Sequence, residues 1–141
     1  MTTNFDAVVA NTFTGALVGN VTGALTSIPV TGRTATAAPG GTTGVIADGG
    51  GALQVITVTS DDANKVITLP APVPGTVVIL INGGTGYELR SSAPATVAIN
   101  GGTGANAESA VAASTAIVAI CTSATAWLAF SVVTTTVETA A

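Results

Sequence analysis

The sequence predicts an all-β protein: a small antiparallel β-sandwich or barrel over residues 45–141, preceded by an extended N-terminal arm over residues 1–44. The first observation is composition, because Thr, Val and Ala are abundant and aromatic residues make up only 4% of the chain. β-branched side chains favour pleated surfaces. The second is a succession of about seven or eight short apolar runs separated by turn residues, as in sandwiches and small barrels. The third is the lack of any long window with a helical period and caps, so we expect little helix.

The arm is predicted from short repeats and from Gly and Pro. Residues 14–17 (TGAL) recur as residues 22–25, and each copy is too short to form a core of its own. Residues 29–44 have the Pro and Gly density of a linker, for which we expect no regular ladder. We therefore expect the arm to bind partner subunits or a capsid through its apolar side chains, Phe5, Val8, Val9, Phe13, Leu17, Val21, Leu25 and Ile28.

The next strands are predicted from residue 53 onwards. Residues 53–59 alternate as a half-buried strand does, and residues 65–69 follow a polar turn as the expected antiparallel partner. The Pro-rich residues 70–75 cannot join the interior of a ladder, so the chain must turn there. Residues 76–81 are the most apolar run and are predicted to form the central strand.

An exact repeat comes next, since residues 81–86 (INGGTG) recur unchanged as residues 99–104. Asn-Gly after an apolar strand supplies the positive φ angles of tight turns. We therefore expect each copy to end a strand, with Asn82, Gly83, Asn100 and Gly101 as the turn-forming residues. A phosphate-binding loop is disfavoured because neither copy is followed by the required Lys and Ser or Thr.

The last strands are predicted over residues 114–121 and 126–133, with a turn at residues 122–125. Residues 116–133 are apolar enough to raise the alternative of a membrane-spanning helix, but the polar turn interrupts them. Trp127 and Phe130 are expected to pack in the core.

Charge excludes several classes of function. The chain has 3 basic and 7 acidic residues, a net charge of -4 and no His. It therefore lacks the basic surface that nucleic-acid binding needs, and His-dependent catalysis cannot be built from it. With so few charged residues, much of the exterior must be uncharged, and we expect neighbouring protein and not water to cover that surface.

Three candidate sites have simpler explanations. Asp61, Asp62 and Asn64 could supply oxygen ligands for Ca²⁺, but their spacing is that of a solvated turn. Glu88 and Glu108 could act as a carboxylate pair, although a sugar-binding cleft usually has more aromatic residues. Cys121, the single cysteine, is expected to be a buried apolar residue. We thus expect no enzyme activity, no catalytic, cofactor-binding or metal site, and no cofactor.

Two groups of motifs resemble a known family. Residues 15–23 (GALVGNVTG) resemble the repeats near the starts of tailed-bacteriophage fibre proteins. Residues 60–70, 75–78, 81–84 and 126–127 are similar to the small β-domain of phage fibres and head-decoration proteins, and with the arm they cover about two-thirds of the chain. The resemblance implies a trimeric β-structure that cements the capsid or projects from the virion. The shortness of the chain favours decoration over a tail fibre.

The expected function is therefore structural: a capsid cement or head-fibre protein, assembled in the host cytoplasm and placed on the capsid exterior. Its expected partners are copies of itself in a homotrimer and the major capsid protein, with no nucleic acid and no membrane. The opening residues lack a signal peptide, in line with cytoplasmic assembly. The alternative is a receptor- or glycan-binding module of a trimeric fibre, with an exposed patch around Tyr87, Glu88 and Arg90.

Overall fold

The computed structural model describes residues 31–39, 44–46 and 53–133 of the chain. This part forms β-strands and contains no α-helix, so the all-β prediction is confirmed. No helix in it is long and apolar enough to cross a membrane. In chain order the strands are β1 (Thr31–Thr36), β2 (Leu53–Thr59), β3 (Val66–Thr68), β4 (Val77–Asn82), β5 (Tyr87–Arg90), β6 (Ala98–Ile99), β7 (Glu108–Val111), β8 (Thr115–Ser123) and β9 (Ala126–Val133).

The strands form two sheets. The large sheet has six strands in the order β1-β2-β4-β8-β9-β6, and the small sheet has three in the order β3-β5-β7. Their facing sides share one apolar core. The large sheet contributes Ile56, Val58, Val78, Leu80, Ile117, Ala119 and Trp127, and the small sheet contributes Ile67, Tyr87, Leu89 and Val111.

Up to β5 the chain winds back and forth between the two sheets, as in a β-solenoid. The strands β1, β2 and β4 lie side by side and parallel in the large sheet, while β3 and β5 are parallel in the small one. Isolated bridges from Ala38 and Val45 to β3 add a first pass along the small sheet. The expectation of antiparallel pairing is wrong for these strands, and it holds only for β4-β8-β9 and β5-β7.

The first correction concerns the predicted linker. We expected no regular ladder in residues 29–44, but Thr31–Thr36 pairs with β2 along its whole length. The ladder then continues around the corner, where the Ala37 N–H donates to the Thr59 carbonyl at 2.9 Å. The three Thr residues of β1 favour a strand, and a parallel partner far along the chain cannot be seen in local composition.

The second correction concerns β3. We expected it to pair antiparallel with residues 53–59, but it lies in the other sheet beside β5. The polar stretch between β2 and β3 is a corner and not a hairpin turn. Asp62 holds this corner, because its Oδ1 accepts from the backbone N–H of Asn64 at 2.9 Å and from the Asn64 side chain at 3.0 Å.

The most apolar strand and the last hairpin lie where we expected. The strand β4 is central in the large sheet, between β2 and β8. The strands β8 and β9 form an antiparallel hairpin with a register shift between Cys121 and Ser123. Residues 116–133 are therefore paired strands and not a helix.

The two copies of INGGTG each follow a strand but fold differently. In the second copy, Asn100 and Gly101 have φ angles of 51° and 82°, and Ile99 and Gly102 exchange backbone hydrogen bonds across a tight turn. In the first copy, Asn82 is buried at the end of β4, and its Nδ2 donates to the carbonyl of Ala112 at 3.1 Å. After Asn82 the chain crosses to the small sheet. The structural context of each copy, and not the hexapeptide sequence alone, therefore decides its conformation.

Two glycines of the first copy give a matched test of this crossing. A Cβ at Gly86 would lie 2.6 Å from the Val111 carbonyl oxygen, whereas a Cβ at Gly84 would meet nothing within 4 Å. We expect Gly86→Ala to lower the free energy of unfolding by about 1–3 kcal/mol because backbone must move. Gly84→Ala should leave it within about 0.5 kcal/mol. Urea denaturation measures both, and equal losses would contradict the close approach.

Candidate interaction surface

The sequence singles out two groups of residues, the partner-binding residues of the arm and the turn-forming residues. The arm residues Phe5, Val8, Val9, Phe13, Leu17, Val21, Leu25 and Ile28 lie outside the described residues. The turn-forming residues lie in the two INGGTG copies. Gly83 follows the buried Asn82, and its carbonyl accepts from the Ser114 hydroxyl at 2.9 Å. Asn100 and Gly101 form the tight turn after β6.

Asn100 also extends the large sheet with its side chain. Its Nδ2 donates to the Ala129 carbonyl at 2.7 Å, and its Oδ1 accepts from the Ala129 N–H at 2.8 Å. An amide side chain thus takes the place that a strand residue would have beside β9. The short strand β6 pairs only with Ala126 and Trp127, so Asn100 adds one more position to that edge.

The large sheet has an apolar outer face, the side turned away from the core. Side chains alternate between the faces of a strand, so this face collects the positions that do not enter the core. Ile81, Leu128, Phe130 and Val132 are exposed by 44–47%. Between and beside them lie the half-buried Leu53, Val55, Val77, Ile79, Ala116, Val118 and Ile120, brought together by the strand registers.

The area of this outer face can be estimated from the spacing of strands and residues. Four adjacent strands span roughly 19 Å, and five residues along them span about 17 Å, which gives a projected area of about 300 Å². Contiguous apolar patches of this order on soluble proteins are often functional. The strands β4 and β8 also carry nearly continuous apolar runs, which are typical of strands covered on both faces. The outer face therefore has the properties of a contact surface.

Apart from Arg33 on the edge strand β1, the charged residues of the described part lie outside the large sheet. Glu88, Arg90 and Glu108 are on the strands of the small sheet, and Arg90 Nη2 contacts Glu108 Oε1 at 3.0 Å. Asp61, Asp62 and Lys65 lie at the corner after β2. The outer positions of β2, β4, β8 and β9 carry no charge. The domain is thus polar on one side and apolar on the other.

The other candidate sites are explained by local contacts. At the acidic corner, Asp61 Oδ1 pairs with Lys65 Nζ at 2.5 Å, and this hydrogen bond holds the pKa of Asp61 below its usual value. Glu108 pairs with Arg90. No group of three potential metal-binding side chains occurs in residues 31–39, 44–46 and 53–133.

The positions of the aromatic residues agree only in part with our expectation. Trp127 is in the core, as expected, but Phe130 is 44% exposed on the outer face. Three residues apart on one strand, the two side chains must point to opposite faces, so alternation alone could have shown this. Tyr87 is fully buried, and burial raises the pKa of its hydroxyl. The exposed patch expected around Tyr87 is therefore wrong for this residue.

Alternation within single strands did not reveal the outer face. The signal for it is that β4, β8 and β9 are apolar at both odd and even positions, as strands buried on both faces are. No family model, curated protein or solved structure matches the chain.

Cys121 provides a test of the core. Its side chain is buried, its Sγ donates to the Ser123 carbonyl at 3.1 Å, and burial raises the pKa of the thiol. A raised pKa lowers the fraction of reactive thiolate below that of an ordinary exposed cysteine. We expect the native protein to react with a thiol reagent at least tenfold more slowly than the urea-unfolded protein. Equal rates, followed by absorbance, would show that Cys121 is accessible.

Proposed function

We propose that this protein is a structural subunit of a bacteriophage virion, a capsid cement or head-fibre protein that works by burying surface and not by catalysis. The observation that carries the proposal is the uncharged apolar outer face of the large sheet. The motifs in residues 15–23 and 60–70 that resemble phage fibre and decoration proteins give the proposal its biological setting.

The physical argument begins with the cost of exposure. Each Å² of apolar surface removed from water contributes about 25 cal/mol, so a covered outer face favours association. An oligomer that buries this face needs no charged groups at its centre, in keeping with the distribution of charge between the two sheets. We propose a homotrimer in which the outer faces contact neighbouring copies, while the charged small sheet faces solvent.

Residues 1–30 are proposed to attach the assembly to the capsid through the apolar arm residues. The boundary for testing this must precede β1, because removal of residues 1–44 would also delete the ladder between β1 and β2. The glycan-binding alternative expects an exposed aromatic or polar patch around Tyr87, Glu88 and Arg90. We favour it less because Tyr87 is buried and the other two side chains are half-buried.

A charge placed at the centre of the outer face tests the proposed contact between copies. Val118 lies between Ile79 of β4 and Phe130 of β9 in the sheet registers. We expect Val118→Lys to lower the molar mass measured by light scattering to that of one chain, because an unpaired charge is costly to bury. The far-ultraviolet spectrum should be unchanged, since the Lys side chain can reach water in the separated chain.

Ala63→Lys is the matched control, because it adds the same charge at an exposed position of the corner after β2. This variant should keep the molar mass of the unmodified protein. A Val118→Lys protein with undiminished mass would contradict burial of the outer face between copies.

The capsid role is tested by co-sedimentation with decoration-free heads of the phage that encodes the protein. We expect the full chain to sediment with the heads and the chain lacking residues 1–30 to stay in solution, because the arm residues are missing. A folded, truncated protein that binds the heads as tightly as the full chain would overturn the role assigned to the arm.

A further inference from the structure

A slot lies at one side of the domain, between an edge of the large sheet and an edge of the small sheet. It has a volume of about 420 Å³. The edge strands on its two sides are β9, with β6, and β7. Its lining includes side chains of the core and no charged residue; it is formed by Leu89, Ile99, Val111, Ile117, Ala129 and Ser131, among others.

The backbone of β9 beside this slot is set up to take another strand. In antiparallel pairs, hydrogen-bonded and non-hydrogen-bonded residue pairs alternate. Ala129 gives both backbone groups to Asn100, so its pair with Ala119 of β8 is a non-hydrogen-bonded one. Two residues on, Ser131 has the same orientation, and its N–H and carbonyl point away from β8 towards the slot. No described strand pairs with Ser131 on this side.

The character of the slot favours a strand over a small molecule. Small-molecule sites usually combine an apolar wall with a few convergent polar groups. Here the amide of Asn100 is already bonded to Ala129, and the further polar groups include the sheet-edge backbone. An added strand would satisfy that edge and place alternate side chains into the slot, which is the pattern of strand addition.

The chain itself contains a matching segment. No charged residue occurs between Asp6 and Arg33, and this stretch is rich in Val, Thr, Ala and Gly. It leads into β1, which is the opposite edge of the large sheet from β6 and β9. Head-to-tail association of copies would bring the β1 edge of one copy to the slot of the next, and such contacts form a ring when the rotation between copies closes.

We propose that the slot receives a short strand from within residues 7–30 of a second copy of this chain, which pairs with β9 at Ser131 and leaves the other arm residues to the capsid. The proposal rests on the proposed role as an assembly subunit and names the contact that links its copies. It also gives the uncharged N-terminal segment a binding site whose lining includes no charged residue.

Disulfide trapping between full-length chains tests this contact. One protein carries Ser131→Cys and a mass tag; the others each carry one substitution in the segment, Val9→Cys, Thr14→Cys, Leu17→Cys or Val21→Cys. The buried Cys121 is left in place in all of them. Pairs are unfolded together, refolded and oxidised, and products are identified by non-reducing electrophoresis and mass spectrometry.

We expect a disulfide between the two kinds of chain for at least one of the four positions, at least tenfold above the level with Ala63→Cys, which places the thiol at the exposed corner. If no position exceeds that control, the proposal is overturned. The proposal is also overturned if a chain that carries both Ser131→Cys and one of the four segment substitutions forms the disulfide only within itself and not with a second copy. No capsid is present, so this result is independent of the capsid-binding test.

A backbone variant gives a second measurement. Ser131→Pro removes the N–H that points to the slot, whereas Ser131→Ala keeps it. Pro is tolerated on edge strands, so the fold should persist. We expect self-association to weaken about tenfold for Ser131→Pro relative to Ser131→Ala, by sedimentation equilibrium. Equal association constants would overturn pairing at this edge, and the trapping experiment decides the matter if Ser131→Pro does not fold.

Discussion

The large sheet is apolar on both faces, and the rest of the structure depends on this constraint. The small sheet covers one face, where side chains such as Leu80 and Trp127 are almost completely buried. The other face has no cover within the described part of the chain, although Ile81, Leu128 and Phe130 lie on it. Burial of this second apolar face would be favourable. The subunit contacts that we propose would supply it.

The winding of the chain explains how one domain acquires such a sheet. Because β3 and β5 return the chain through the small sheet, β2 and β4 can lie parallel without helices between them. Corners take the place of hairpins, and the corner after β2 is held by the hydrogen bonds of Asp62. Antiparallel strands then complete both sheets. The change from parallel winding to antiparallel hairpin leaves the edges of β7 and β9 apart, and the slot lies between them.

Asn82 and Asn100 show how context selects among the options of one motif. Both belong to an identical hexapeptide, and both donate a side-chain hydrogen bond to a distant carbonyl, of Ala112 and Ala129 respectively. Only Asn100 takes a positive φ angle, because the chain reverses there on the same edge of the sheet. At Asn82 the strand continues to the other sheet, so an extended residue is needed. The proposed strand-binding edge depends on the conformation at Asn100. The side chain of Asn100 occupies only the position beside Ala129, and no described strand pairs with Ser131 on that side.

The sequence by itself determined the fold class, the central position of β4, the final hairpin and the scarcity of charge. These follow from composition and from periods of a few residues, which are local properties of the chain. It did not reveal that Thr31–Thr36 belongs to a ladder, that β3 lies in the second sheet, or that Phe130 faces outwards while Trp127 faces inwards. Tertiary structure decided these features. Parallel pairing joins residues far apart in sequence, and the identity of an apolar side chain does not indicate which face of the sheet is covered.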